Sequence, residues 1–360
     1  MKRRGSQPTL NDVAVRANLS KQTVSRVINN KGEVADDTRA RVLEVIREIG
    51  YYPNTLARSL VTSKTNVIGL SLPNIDQPFF PQIARGVEDT AYENDFSVFL
   101  CNASGDPERE LRAIERLRGH RVDGVISFNS RLTDETIERA IGNMFPIVMI
   151  NRELPGVRGT VIWPGYEEGA RLAVEHLLVI GRRRVTYLGL DAGSNVDADK
   201  YRGYERALEQ AGIAVDPDRV TRVSKVVGRG FNELASAGEE TIVRLMEAGV
   251  RFDGIFASND LPGIGAMRHL IDAGVAVPDD VAIVGFGGAN VTGFVTPGLT
   301  TVEMPLYEMG RSAFHVLFDR INGAEQDARL VDVTPSLIVR GSSVATTGAR
   351  WDAEVAVSNV

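Results

Sequence analysis

Lys21, Gln22, Ser25 and Arg26 fall within one eight-residue stretch, and together they form a donor and acceptor set suited to the edges of nucleic-acid bases. Gln pairs with adenine N6 and N7, and Lys or Arg with guanine O6 and N7. Ser20 and Thr23, with the free N–H groups that open a helix, suit phosphate oxygens, which position a protein without reading sequence. Such side chains read DNA only when a helix carries them into the major groove, so the surrounding chain must supply that helix and its brace.

The spacing predicts both. Thr9 can cap a first helix over Leu10–Ala17, with Leu10, Val13, Ala14 and Ala17 on one face. Asn18-Leu19-Ser20 breaks the pattern, and Ser20 can cap a second helix from Lys21 to Ile28 with Val24, Val27 and Ile28 inward. A third runs from about Asp36 to Ile49, striped by Val42, Val45, Ile46 and Ile49 and stopped by Gly50. Two short helices joined by a three-residue turn and braced by a third make a helix-turn-helix.

Charge supports a polyanion partner for this segment. Residues 1–64 carry 12 Lys/Arg against 6 Asp/Glu, whereas the rest of the chain carries 29 against 41. A basic head precedes an acidic body. With 43% hydrophobic and 24% charged residues in 360, the composition excludes a disordered, collagen-like or coiled-coil chain and suggests two or three domains. One cysteine, Cys101, forms no intrachain disulfide, and no apolar run approaches the roughly 18–20 residues that span a bilayer. Residues 1–9 lack the apolar stretch of a signal peptide, so the expected location is cytoplasmic, with no membrane partner.

Pro53-Asn54-Thr55-Leu56-Ala57-Arg58-Ser59-Leu60 has helix-forming residues but is too short to hold a helix alone in water. It reads as a linker that becomes helical when something packs on it. Beyond Asn66, apolar β-rich runs alternate with helical stretches: Val67–Leu70, Ser97–Leu100, Gly124–Ile126, Ile147–Ile150, Val185–Leu188, Val220–Val223, Gly254–Ala257 and Val281–Val284. This predicts parallel sheets covered on both faces, too many strands for one lobe, with a restart after Trp163-Pro164. Ligands of such open α/β sheets sit beyond the carboxyl ends of the strands, here in a cleft between two lobes.

Enzyme motifs fail. Gly285-Phe286-Gly287-Gly288-Ala289-Asn290 lacks the third glycine of a dinucleotide fingerprint, and there is no Walker A sequence or Gly-x-Ser-x-Gly elbow. His120, His176, His269 and His315 lack metal-ligand spacing, so neither a metal nor a cofactor is expected.

Thr9-Leu10-Asn11-Asp12-Val13-Ala14, Ser20 to Asn29 and Gly50 to Leu60 resemble the lactose-repressor (LacI/GalR) family, and the resemblance continues to about residue 341. It implies an N-terminal three-helix helix-turn-helix domain with a hinge helix, then a two-lobed, doubly wound, periplasmic-binding-protein-like sensor. The expected divisions are a DNA-binding domain over 1–52, a hinge over 53–64 and a sensor over 65–341. Lobe one takes about 65–163 and 304–324, lobe two about 164–303 and 325–341, and 342–360 form a disordered tail. The resemblance implies a dimeric repressor of pseudo-palindromic operator DNA, switched by a small carbohydrate-type effector. The alternative is a regulator with a degenerate pocket, controlled by a protein partner.

The family's base-reading positions fall on Lys21, Gln22 and Arg26, with Asn29 just after the helix; the first two vary between members and so set operator choice. Thr9, Ser20, Thr23, Ser25, Asn54, Ala57 and Arg58 complete the expected DNA contacts, and Leu60 matches the family's minor-groove wedge. Ala35 stands where the family has a capping Ser, leaving Asp36 or Asp37 to cap the third helix. In the sensor, the resemblance places Asp76, Phe79, Phe80, Asn129, Asn151, Arg152, Trp163, Lys200, Lys225, Asn259 and Gly287 at the effector. Phe79 and Phe80 alone read as core, Trp163 reads equally as core, and Asp260 reads as the cap of the helix it opens. Asn151-Arg152 replaces the family's Asp-Arg, and Gly287-Gly288 its Asp-Asp. The loss of acid beside Arg152 and Lys200 points to a sugar acid or sugar phosphate, unless Asp191, Asp197 or Asp199 turns inward and neutralises Lys200.

Overall fold

The computed structural model describes residues 8–29, 32, 34–52, 64–128, 130–142, 145–151, 160–162, 165–190, 195–223, 230–324, 329–330 and 335–344. They fall into two compact units, Met1–Thr65 and Asn66–Val360.

The first unit comprises α1 (Leu10–Ala17), α2 (Lys21–Ile28) and α3 (Asp36–Ile49). Thr9 and Asp12 form a reciprocal capping box: the Thr9 hydroxyl accepts from the Asp12 N–H, and the Asp12 carboxylate accepts from the Thr9 N–H at 2.7 Å. Those bonds hold the Asp12 carboxyl below the usual carboxylate range. Ser20 caps α2, accepting from the Thr23 N–H at 3.1 Å. Val13, Ala14, Ala17, Val24, Val27, Val42, Val45 and Tyr51 close a small core. The third cap differs from expectation. The first residue before α3 is Ala35 with no side-chain cap, and Asp36 and Asp37 lie inside the first turn, where they complement the helix dipole without capping it.

The second unit holds two sheets. The first is built from β1 (Val67–Leu72), β2 (Ser97–Asn102), β3 (Gly124–Phe128), β4 (Ile147–Ile150), β5 (Thr160–Ile162) and β11 (Arg329–Leu330), in the order β11-β5-β4-β3-β1-β2. Its paired strands are parallel throughout. The second comprises β6 (Val185–Gly189), β7 (Val220–Arg222), β8 (Gly254–Ala257), β9 (Ala282–Gly287), β10 (Thr300–Glu303) and β12 (Ser336–Ile338), in the order β12-β10-β9-β8-β6-β7. Only β12 runs antiparallel to its neighbour. In each sheet the strand order reverses beside the first strand, β1 or β6, so each has a switch point where adjacent connections leave in opposite directions.

The helices are α4 (Phe79–Glu93), α5 (Pro107–Gly119), α6 (Asp134–Ile141), α7 (Gly165–Val179), α8 (Asn195–Gln210), α9 (Phe231–Glu247), α10 (Asp260–Asp272) and α11 (Leu306–Ile321). Three helix pairs make the most extensive contacts, α4 with α11, α7 with α8 and α9 with α10. Each crosses backbone to backbone at glycine. A β-carbon on Gly86 would collide with the Tyr307 carbonyl oxygen, one on Gly203 with that of Glu167, and one on Gly265 with that of Ala235.

Two boundaries are corrected. Arg329–Leu330 pairs with β5, so this strand belongs with the first lobe, and the chain returns to the second only afterwards, at β12. The segment opening the expected disordered tail is packed. Ser342 and Ser343 are buried; the Ser342 hydroxyl donates to the Ile283 carbonyl at 2.7 Å, and His176 Nε2 meets Ser343 at 2.8 Å. Residues 345–360 lie outside the described set.

Candidate DNA-reading face and inter-lobe cleft

On α2, Lys21, Gln22 and Arg26 are exposed and engage no described residue, while Thr23 and Ser25 are half-buried against the unit. Inward Val24 and Val27 fix the rotation of the helix and turn the three longer side chains outward together. Ser20 and Thr23 share a hydroxyl hydrogen bond at 2.9 Å, and Asn29 Nδ2 donates to the Ser25 carbonyl at 2.7 Å, closing the helix end. The face presents two cations and one amide, with no acid between them. Asn54, Ala57, Arg58 and Leu60 lie outside the described residues.

In the second unit, the described candidates collect at the carboxyl ends of strands. Asp76 and Phe79 follow β1, Asn151 follows β4, Asn259 follows β8, and Gly287 ends β9. A narrow cavity joins the lobes, lined by Gln77, Pro78 and Phe79 from one and Asn259, Asp260, Leu261, Phe286, Gly287 and Ala289 from the other. Phe79 meets Phe80 and Phe128 edge to face at 5.3 and 5.8 Å; Phe80 itself is core, so only the first of the aromatic pair reaches the cavity. Asn129, Arg152, Trp163 and Lys225 lie outside the described residues, as does Asp191.

Asn259 and Asp260 both line the cavity, but the cap expected of Asp260 is supplied by Asn259. Asn259 caps α10, accepting from the Leu261 N–H at 3.0 Å. Asp260 is buried and caps nothing; it accepts from the Thr301 hydroxyl at 2.5 Å and the Ala289 N–H at 2.8 Å, tying α10 to β10 and the turn after β9. Burial pushes its carboxyl up to about 6 against the opposing pull of those bonds and of Lys200. A β-carbon on Gly287, at φ +135°, would sit 3.2 Å from Asp260 Oδ2, so the cavity keeps an acid at the very position where its loss was inferred.

Lys200 is likewise corrected. It is not among the cavity-lining residues. Its Nζ donates to the Ser258 carbonyl at 2.8 Å, lies 4.2 Å from the centroid of the Phe286 ring and is buried. Burial draws its pKa down to about 8, while Asp197, then Asp260 and Asp199, pull it upward. Asp197 has turned inward as the alternative reading required. It accepts from the Tyr187 hydroxyl at 2.8 Å, Arg222 Nε at 2.9 Å, the Leu190 N–H at 3.1 Å and the Ser258 hydroxyl at 3.3 Å.

Among the described residues, two side-chain hydrogen bonds bridge the lobes. Asp76 Oδ2 accepts from the Phe231 N–H at 3.3 Å, capping α9 from the opposite lobe where the capping position before the helix, Gly230, offers no side chain. Asn151 Nδ2 donates to the Tyr166 hydroxyl at 2.6 Å, and among the described residues the buried Asn151 Oδ1 has no partner. Sequence reasoning missed Asp260 and Phe286 as cavity walls; the strand-end position of Asp260, one residue past Asn259, was the available signal.

The raised Asp260 pKa carries a pH prediction. A carboxyl whose pKa rises on folding takes up a proton as it folds, so its contribution to stability grows as pH falls from about 6 toward 3.8. The wild type should gain stability relative to Asp260→Asn across that window in denaturant titrations. A gap between the two that stays constant with pH would show that folding leaves Asp260 unperturbed.

An exposed basic reading helix on one unit, and on the other two doubly wound lobes enclosing a cavity at their strand ends, define a ligand-responsive DNA-binding regulator. The comparisons give the family. Residues 9–54 match the bacterial regulatory proteins of the lacI family, and residues 174–343 match the periplasmic binding protein-like domain. The ribose operon repressor of Halalkalibacterium halodurans is 34% identical over 92% of this chain and 96% of its own. The transcriptional regulator RegA of Clostridium saccharobutylicum is 34% identical over 93% of this chain and 99% of its own. The lac repressor dimer bound to operator and the anti-inducer ONPF superposes with a TM-score of 0.82 at 25% identity, over 94% of this chain and all of that one. The chain belongs to the LacI family of transcriptional regulators.

Proposed function

We propose that this protein is a homodimeric repressor that reads its operator through Lys21, Gln22, Arg26 and Asn29 and is switched by a sugar held between the lobes. The observation that carries the reading is the pairing of an unengaged basic face on α2 with a cavity at two sheet switch points. In this reading Ser20 and Thr23 meet phosphates, Thr9 and Ser25 are further contacts to DNA, and Asn54, Ala57, Arg58 and Leu60 would contact DNA from the hinge. Exposed Tyr92, Phe99 and Leu100, on the end of α4 and the edge strand β2, support self-association.

A neutral sugar fits the described residues better than a sugar acid or phosphate. The charged group on the cavity wall is the Asp260 carboxylate, Asn151 Oδ1 is an unused acceptor at the same strand ends, and Lys200 is matched by three aspartates. Acceptors of this kind take hydroxyl protons. Relatives of known structure include one with bound ribose and a regulator in complex with cellobiose, which favours the same class. Calorimetry of the full chain against neutral sugars, sugar acids and sugar phosphates tests this: binding of a neutral sugar is expected. Tight binding of an anion lost in Lys200→Gln would reverse the assignment, and silence across the panel would favour control by a protein partner.

For the head, Arg26→Ala should cost about 1–3 kcal/mol of operator affinity while changing non-specific binding less. Titrations on selected operator and random duplexes at one salt concentration decide it. An equal loss on both would make Arg26 a phosphate contact.

A further inference from the structure

Asp260 is buried at the cavity wall, yet only part of its accepting capacity is used. Among the described residues, its Oδ1 accepts from the Thr301 hydroxyl at 2.5 Å and its Oδ2 from the Ala289 N–H at 2.8 Å. An ionised carboxylate offers about four lone pairs, so each oxygen can take another donor. Gly287 leaves the approach to Oδ2 open. A β-carbon there would lie 3.2 Å from Oδ2 and 3.9 Å from Phe79 Cδ2, so glycine keeps a space between an acid of one lobe and a ring of the other. An oxygen seated in it comes within hydrogen-bond reach of the carboxylate. At φ +135° the backbone of Gly287 disfavours any side chain, which builds the opening into the strand end.

We propose that the effector of the cleft donates a hydroxyl to the ionised Asp260 carboxylate at Oδ2, so that effector and proton compete for this group and acidification loosens the effector. The inference rests on the reading of a neutral sugar in the cleft. Burial holds the carboxyl at about 6 in the free protein, and a donated hydroxyl favours the charged form and lowers that value. Well above 6 the group is ionised with or without sugar, and affinity is flat. As pH falls through 6, the free protein takes up a proton that the sugar must displace, and affinity declines until the sugar-bound form is protonated too.

The surrounding charges leave this competition to Asp260. Lys200 from α8 and Arg340 after β12 both pull it toward the ionised form. Lys200, at about 8, stays charged across the window, as does a guanidinium. Asp197 and Asp199 act on Lys200. Glu303 on β10 accepts from the Ser336 hydroxyl at 3.4 Å, and Asp76 across the cleft from the Phe231 N–H. His176 meets Ser343, whose hydroxyl meets Thr300, on the opposite face of β10 from Thr301. His269 lies nine residues further along α10 and faces Glu239 of α9 at 4.0 Å.

Calorimetric titration of the full chain with D-ribose and with cellobiose, between pH 5 and pH 7.5 in two buffers of different ionisation enthalpy, reads affinity and protons released together. Affinity should fall about tenfold toward the acid end, the effect of a pKa lowered by about one unit on binding, with proton release near the midpoint. Thr301→Val removes a bond that favours the ionised carboxyl, so the fall should begin at higher pH while sugar still binds. Asp260→Asn should bind more weakly and without pH dependence, and His176→Gln should keep the wild-type profile. A sugar bound with flat affinity would overturn the inference and leave the neutral-sugar reading standing. So would a fall that persists in Asp260→Asn, or an onset that Thr301→Val does not move. Absence of binding by both sugars would count against the reading itself, and the inference would go with it.

Discussion

Val24→Asp should abolish operator binding while leaving the second unit intact. Val24 has no exposed surface and sits among Val13, Ala14, Ala17, Val27, Val42, Val45 and Tyr51, with no cation inside that core. A carboxylate there is buried without a partner, at a cost of several kcal/mol. A unit of this size holds on the order of 3–6 kcal/mol altogether, so the head should unfold outright. Because the two units are separately compact, melting of the second unit and its affinity for the proposed effector should match the wild type. The milder Val24→Ala should weaken operator binding without erasing it. Operator affinity retained by Val24→Asp in a polarisation assay would contradict the packing described for α2.

Asp197→Ala should produce the largest loss of stability in the second unit, about 3–5 kcal/mol, the range for breaking a buried charge network by removing one partner. The substitution strands four donors at once: the Tyr187 hydroxyl, the Leu190 N–H, Arg222 Nε and the Ser258 hydroxyl. It also removes the strongest attraction holding the Lys200 charge in place, which adds to the loss. Urea unfolding followed by the signal of the second unit measures it. Asp197→Asn keeps one acceptor oxygen and should fall between; an Ala variant as stable as the wild type would show that water replaces the carboxylate.

The head was legible almost to the residue, because each of its helices carries its own start signal, its own stop and an apolar stripe of period 3.6. Only the opening of α3 was misread, since Asp36 and Asp37 were offered as caps when their places lie one and two residues too far along. In the body, most strands read correctly are buried central ones with continuous apolar runs, although the more exposed edge strands β2 and β7 were read as well. Those missed, Thr160–Ile162, Thr300–Glu303, Arg329–Leu330 and Ser336–Ile338, are two to four residues long or rich in threonine and charge. Their pairing partners lie far away in sequence, and no local pattern marks them. The cleft was located by the rule for strand ends, but the acids that its described residues carry were not foreseen. Counting acids lost at Asn151 and Gly287 gave a cationic site, whereas among the described residues Lys200 is met by Asp197, one turn before it on the same helix, and by Asp260, which comes beside it only in three dimensions. Ser342 and Ser343 look like tail residues by composition and become core because their hydroxyls meet Ile283 and Thr300.

The glycine crossings of the body have a genetic consequence. Any single-base change at the first or second position of a glycine codon introduces a side chain or a stop. At Gly86, Gly203 and Gly265 even the smallest such side chain meets a carbonyl oxygen of the neighbouring helix, which has no rotamer by which to yield. These codons therefore tolerate essentially no missense drift. A screen for constitutive expression of the regulated genes should recover them repeatedly as loss-of-repression alleles, although none touches the operator-reading helix or the cavity between the lobes.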